Sequence, residues 1–246
     1  MKILIIHLSD IHISIATENL KDRATKIIDG VKNLETEIGQ VIFAIAGDIA
    51  YSGQEEEYSK ALDFFDELKN QAAVKICKDI HFVIVPGNHD CQFIPDDEDA
   101  RNEIIESVKS KDFNIFGKSI IDICLKNQKN FFSNCFDLFC DTPTSNYDSL
   151  FYQFSFEKNG YKISYNCINT AWISKLKESD QYSKMGFPID YLKDSNEADL
   201  SISIFHHPTE WFTLTNRKEV KRYLLENSDF VLTGHEHEPN QSGYVD

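Results

Sequence analysis

Short apolar runs and helical-period stripes alternate along the first third of the chain. Ile3-Leu4-Ile5-Ile6 is a continuous apolar run ending at His7, the pattern of a strand buried on both faces. From Leu20 the apolar positions Leu20, Ala24, Ile27, Ile28, Val31, Leu34 and Ile38 recur at helical spacing, which predicts a helix reaching Ile38. Val41 to Ala46 is a second buried strand, stopped by Gly47. Tyr58, Ala61, Leu62, Phe65 and Leu68 mark a second amphipathic helix, and His81 to Val85 a third strand ended by Pro86-Gly87. Strands alternating with helices argue for a layered α/β domain.

The second half is richer in strands. Phe151–Phe156 and Tyr161–Ile168 flank Lys158-Asn159-Gly160, a hairpin signal. Leu200–Phe205 and Phe230–Leu232 read as further strands, and Arg217–Glu226 as a helix with Val220, Tyr223 and Leu224 on one face. Between the halves, from about Phe93 to Ser149, the pattern changes. The stretch opens on Asp96-Asp97-Glu98-Asp99 and then carries Phe113, Phe116, Phe131, Phe132, Phe136 and Phe139. It reads as a helical insertion or cap, its aromatics as core packing in preference to stacking platforms, and Arg101 and Lys109 as solvated surface in preference to phosphate contacts.

With 246 residues the chain can bury a sizeable core, and its 41% hydrophobic and 26% charged residues exclude a disordered or fibrous protein. Its net charge of −15 argues against a purely electrostatic nucleic-acid binder. An acidic chain needs local help, such as metal ions or a partner, to hold phosphate. The first apolar run is too short for a signal peptide, and no stretch approaches the ~20 apolar residues of a membrane span. Six scattered cysteines with no C-x-x-C pair read as reduced thiols, so a cytoplasmic protein without a membrane partner is expected.

The chemistry-bearing residues cluster where strands end. Asp10 and His12 follow the first strand, Gly47-Asp48 the second, and Gly87-Asn88-His89-Asp90 the third. His206-His207-Pro208 follows the Leu200 strand, and Gly234-His235-Glu236-His237 the last. Ligands collect at the carboxyl ends of strands in open α/β sheets. Taken alone, each cluster has a bland reading: a turn, a helix cap or a satisfied core histidine. Five of them in order, carrying carboxylate, amide and imidazole groups, suit a two-metal centre for ions such as Mn, Fe or Zn. If the flanking segments are extended, Asp10 and His12 point the same way, as do His235 and His237.

The ordered set D-x-H, G-D, G-N-H-D, H-x-P and G-H-x-H, from Asp10 to His237, resembles the calcineurin-like metallophosphoesterase superfamily. The resemblance covers nearly the whole chain. It implies an α/β fold of two stacked mixed β-sheets flanked by helices (an αββα metallophosphoesterase sandwich) over residues 1–246, with 93–149 as a helical insertion. It also implies two divalent metal ions, Mn first, with Fe, Zn, Ni or Mg as alternatives. Asp10, His12 and His237 would hold one ion and Asn88, His206 and His235 the other, with Asp48 bridging. His206 is preferred to His207 as the first position of H-x-P. His89 would protonate the leaving group, and Asp90 would orient His89 and keep it protonated.

The implied activity is hydrolysis of phosphodiester bonds by a metal-activated hydroxide, as a nuclease or nucleotide phosphodiesterase. The substrate partner would be a nucleic acid or a cyclic nucleotide. The alternatives are a catalytically silent scaffold of the same fold, or a phosphomonoesterase or protein phosphatase. The last is disfavoured because Ile49-Ala50-Tyr51-Ser52-Gly53 lacks the arginine that branch places after its G-D motif. Family members add closing strands after the last histidine motif. The resemblance therefore makes Gly243-Tyr244-Val245-Asp246 the opening of such a strand, and the chain the N-terminal part of a longer protein with a fused C-terminal domain. Asn169-Thr170-Ala171-Trp172 would approach the site from the side with a structural Trp. Arg217-Lys218 and Lys221-Arg222 form a small basic patch, read as a solvated helix face.

Overall fold

Apolar runs and stripes become two packed sheets in a computed structural model, which describes residues 2–34, 37–113, 117–141, 143–144, 148–176, 181–194 and 197–236. The first sheet has the order β1 (Lys2–Leu8), β2 (Ile38–Ala46), β3 (Ile80–Val85), all parallel. Helix α1 (Leu20–Val31) connects β1 to β2, and α2 (Glu55–Lys75) connects β2 to β3. The second sheet has the order β4 (Phe151–Lys158), β5 (Tyr161–Ile168), β6 (Leu200–Phe205), β7 (Phe230–Thr233). There β4 and β5 are antiparallel and the rest parallel. Strand β2 packs against β6 and β3 against β5, so the sheets stack with helices outside. This is the mixed two-sheet sandwich that the family resemblance implied. No helix among the described residues is long and apolar enough to cross a membrane.

The β4–β5 turn is built as its sequence requires. Asn159 and Gly160 take φ of 56° and 77°, the left-handed pair of a two-residue hairpin turn that matches strand twist. The helical stripe from Leu20, in contrast, runs past its true end. Helix α1 stops at Val31, Leu34 is exposed, and Ile38 opens β2 opposite Lys2. Parallel pairing with β1 gives Ile38 backbone hydrogen bonds in a ladder, and that tertiary gain overrides the local period.

The described part of segment 93–149 is helical as far as Phe139 and packs into the body. Helices α3 (Pro95–Ser110) and α4 (Lys118–Leu125) pack through Ile105, Val108, Ile121 and Cys124 into an apolar cluster with Phe151, Trp172 and Val220. Further along, Phe131 and Phe136 are buried in the inter-sheet core with Tyr58, Phe65 and Tyr152, and Phe132 and Phe139 pack at its margin. Each fully buried aromatic removes enough apolar surface for about 1.5–3 kcal/mol. Phe113 is buried as well, while Phe116 and residues Gly243–Asp246 lie outside the described residues.

Arg101 corrects the surface reading. It is 3% exposed, and its Nη1 donates to Glu98 Oε2 at 3.3 Å and to the Ser174 carbonyl at 2.8 Å. Its Nε donates to the Cys124 carbonyl at 3.0 Å, and Asn127 donates to the other Glu98 oxygen at 2.7 Å. The pair ties the insertion to the strand-end loop of β5. Replacing Arg101 by Met leaves the Glu98 carboxylate buried beside carbonyls, so a loss of about 3–5 kcal/mol of stability is expected. Urea denaturation measures it, and a loss below about 1 kcal/mol would show that Glu98 escapes to solvent.

Candidate metal centre

Five strand-end loops meet at one edge of the sandwich because β1, β2, β3, β6 and β7 all end there. Their backbones lock together directly. The Asp10 N–H donates to the Gly47 carbonyl at 3.1 Å, the His12 N–H to the Asp48 carbonyl at 3.0 Å, and the Gly234 N–H to the His206 carbonyl at 3.0 Å. Glycines make this possible: a Cβ on Gly87 would collide with the Asp48 carboxylate, and one on Gly47 would lie 2.7 Å from His206 Nδ1.

Side-chain direction at the centre comes from unusual backbone. Asp10, His12, Asp48 and His235 have φ of 54°, 51°, 55° and 73°. Non-glycine residues there are uncommon, Asp, Asn and His the least disfavoured, and such conformations gather at functional sites. Asp10 and His12 are thus not on an extended segment. They reach one place because both are in the left-handed region, not because a strand alternates its side chains.

His206 sits at the middle. It is fully buried, and its Nδ1–H donates to the Ala46 carbonyl at 2.7 Å. A carbonyl accepts only, so Nε2 carries the lone pair in the neutral ring. That Nε2 faces Asn88 Oδ1 at 2.9 Å, Asp48 Oδ2 at 3.3 Å and His235 Nδ1 at 3.2 Å. His235 Nδ1 is also 3.1 Å from Asn88 Oδ1, and its backbone N–H donates to Asp10 Oδ2 at 3.0 Å. His12 Nε2 lies 3.9 Å from Asp48 Oδ2. Carboxylate, amide and imidazole atoms gathered this closely suit a shared proton or cation. Burial alone lowers the His206 pKa, but the Asp48 charge and hydrogen bond outweigh it and lift the imidazole to about 9. Burial alone raises Asp48, but the His206 charge and hydrogen bond, with His89 helping, hold it down to about 2. The pocket attracts positive charge, and its O/N donor set fits divalent metals.

The donor atoms group as His12–Asp48–His89, Asp10–Asp48–His206 and His206–His207–His235, each within 4.8 Å. Asp48 and His206 link the groups. Of the two adjacent histidines, His206 joins Asp48. His207 turns its Nδ1 to the Thr170 hydroxyl at 3.1 Å, and burial first, then the His206 and His235 charges, depress its pKa well below the usual range. His237 lies outside the described residues.

Asp90 is placed otherwise than expected. Its carboxylate accepts from the Ile49, Ala50 and Gly87 N–H groups at 3.2, 2.9 and 2.9 Å and from the Tyr58 hydroxyl at 3.1 Å. It is fully buried, and burial, then the Asp48 charge, push its pKa upward against those backbone donors. It cannot orient His89, because its oxygens are committed to shaping the Asp48 loop. His89 instead donates Nδ1–H to the Tyr51 carbonyl at 2.7 Å, which leaves Nε2 as its uncommitted ring nitrogen for a substrate, and its backbone N–H donates to Asp48 Oδ1 at 2.8 Å. The His12 ring meets the His89 ring edge-on, with centroids 4.6 Å apart. Asn130 ties the two loops from behind, donating to the Gly53 carbonyl at 3.0 Å and Gln92 Oε1 at 3.1 Å.

Sequence reading missed Tyr51, whose carbonyl holds His89, and the Thr209–Phe212 loop that follows His207. No spacing signal marks either. Half of the basic patch is spent on that loop, where Arg217 donates to its carbonyls and Lys221 pairs with Glu210 at 3.3 Å, while Lys218 and Arg222 lie exposed as expected. Thr170 approaches from the side as expected, and Trp172 is structural, donating to the Gly186 carbonyl at 2.9 Å.

A family model described as calcineurin-like phosphoesterase matches residues 3–239. No curated protein sequence matches the chain. Among solved structures it is similar to a phosphopantetheinyl hydrolase from Mycobacterium tuberculosis. The identity is 13% and the TM-score 0.48, over 98% of this chain and 86% of that one.

Proposed function

The chain belongs to the calcineurin-like phosphoesterase family, and from that premise we propose that it hydrolyses phosphodiesters with two divalent ions. Metal-dependent phosphoester hydrolysis is the general activity of the family. The two-ion part of this reading is supported chiefly by the crowding of Asp48, Asn88 and His235 polar atoms around His206 Nε2; the choice of a diester is carried over from the sequence resemblance. Asn88, His206 and His235 would hold one ion and Asp10 and His12 the other, with His237 joining the second set and Asp48 serving both. When bound, such ions supply Lewis-acid polarisation of the phosphoryl oxygens and an activated water.

The chain's own residues then handle orientation and protons. Asp48 is anionic and fixes the His89 backbone through Oδ1. His89, anchored at Nδ1 by the Tyr51 carbonyl, presents Nε2 to the leaving oxygen and delivers a proton there. Asp90 holds the Ile49 and Ala50 amides, so the Asp48 loop cannot relax.

The test strips the protein with chelator, reloads it with Mn, Mg, Zn or Ni, and compares substrates. Bis(p-nitrophenyl) phosphate, p-nitrophenyl phosphate, single- and double-stranded DNA and cyclic nucleotides form the panel. The expected result is no turnover without metal and, with Mn, at least about tenfold faster hydrolysis of the diester than the monoester, a difference of about 1.4 kcal/mol in barrier. A faster monoester would make the protein a phosphatase. A protein that takes up no metal would be a silent scaffold.

A further inference from the structure

The Thr209–Trp211 turn behind His207-Pro208 is held more firmly than a surface turn requires. Arg217, from the Leu214–Asn227 helix, donates through Nε to the Thr209 carbonyl at 2.8 Å and through Nη2 to the carbonyls of Glu210 and Phe212. The Met185 N–H donates to the Trp211 carbonyl at 3.0 Å, and the Thr213 N–H to the Met185 carbonyl at 2.8 Å. Such support from rigid neighbours fixes a side chain before any ligand arrives.

The turn presents an aromatic corner to the centre. The Trp211 ring stands at 89° to the His235 ring with centroids 4.2 Å apart. Tyr182 closes on Trp211 at 5.3 Å and 81°, yet is 55% exposed. The Trp211 Nε1–H is buried and has no hydrogen-bond partner among the described residues. Buried unpartnered donors are rare in folded proteins and call for a reason. The insertion residues Phe131, Phe132, Phe136 and Phe139, by contrast, are taken up in the inter-sheet core and its margin, and Phe113 in the second apolar cluster. The corner lies at the His207–His235 end of the linked donor groups, and His89 lies at the other end.

We propose that Trp211 and Tyr182 seat a planar substituent on the phosphorus, on the side away from the leaving group. The substrate class is then a phosphodiester bearing a nucleoside base or aryl ring as its retained group. This rests on the phosphodiesterase reading above. Aromatic side chains stack on planar rings with enough energy to dominate selectivity between substrates of equal reactivity.

Two esters with the same p-nitrophenolate leaving group isolate the effect: thymidine 5′-(p-nitrophenyl phosphate) and methyl p-nitrophenyl phosphate. The Mn-loaded protein is expected to prefer the thymidine ester in kcat/KM. Trp211→Leu should lower that preference about tenfold, chiefly through KM, with Trp211→Phe restoring part of it and Tyr182→Leu lowering it less. An unchanged preference overturns the proposal. So does an equal fall on both esters, which would mean that Trp211 only positions His235. A second readout needs no turnover: thymidine 5′-monophosphate should quench tryptophan fluorescence of the Mn-loaded protein more than methyl phosphate, and Trp211→Phe should abolish the difference. If no ester is hydrolysed, the catalytic reading fails and this titration alone decides the seat; equal quenching overturns it.

Discussion

Asp48→Asn is expected to lower phosphodiester hydrolysis by about a thousandfold and to cut metal uptake alongside. Asp48 belongs to two of the three donor groups, and its Oδ2 lies 3.3 Å from His206 Nε2 and 3.9 Å from His12 Nε2. With a pKa held to about 2, it carries a full negative charge at neutral pH. One unit charge about 4 Å from another is worth about 4 kcal/mol at an effective dielectric of 20, or roughly a thousandfold. The amide is nearly isosteric and can still accept the His89 N–H, so the loop should keep its shape. Metal analysis after Mn loading and kcat/KM on bis(p-nitrophenyl) phosphate together check the prediction. Wild-type metal content with wild-type activity would remove Asp48 from the centre.

His89→Gln acts on a different step. Metal content should stay at the wild-type level, while kcat falls about 10²- to 10⁴-fold on substrates whose leaving group is an alkoxide. Nitrophenolate departs readily without a proton, so esters of p-nitrophenol should lose far less. That contrast separates a proton donor from a residue that only shapes the pocket. The Nδ1 anchor at the Tyr51 carbonyl is the structural basis: it orients the ring so that Nε2 can meet the leaving oxygen. Equal losses on both leaving groups would leave His89 as a binding residue.

Much of this molecule was legible in the sequence. The runs Ile3–Ile6, Val41–Ala46 and Leu200–Phe205 read as strands, and they are β1, β2 and β6. Val41–Ala46 is buried throughout, whereas β1, expected to be buried on both faces, lies at the sheet edge with only Ile6 of its run buried. Asn159-Gly160 dictated its turn, since few residue pairs accept two left-handed conformations in succession. Polar residues placed directly after buried strands announced a site, because parallel strands bring their ends to one edge. Those features depend on local backbone preference and on hydrophobic period, which a sequence carries in full.

The tertiary structure decided what depends on partners distant in the chain. The carboxylate of Asp90 went to amides about forty residues away and not to adjacent His89, because a buried charge takes the donors that enclose it. The Arg101 charge is buried against Glu98 and carbonyls, although its helix reads as solvated. Ile38 left its helical stripe for a strand ladder. The Ala46 carbonyl set which nitrogen of His206 faces Asp48. Trp211 meets His235 from a turn held by Arg217 and Met185, partners its own neighbours in sequence do not announce. Sequence determined which groups the site contains and which edge of the sheets holds them. Packing determined where each group points, because direction follows from dihedral angles and hydrogen bonds that only the closed fold supplies.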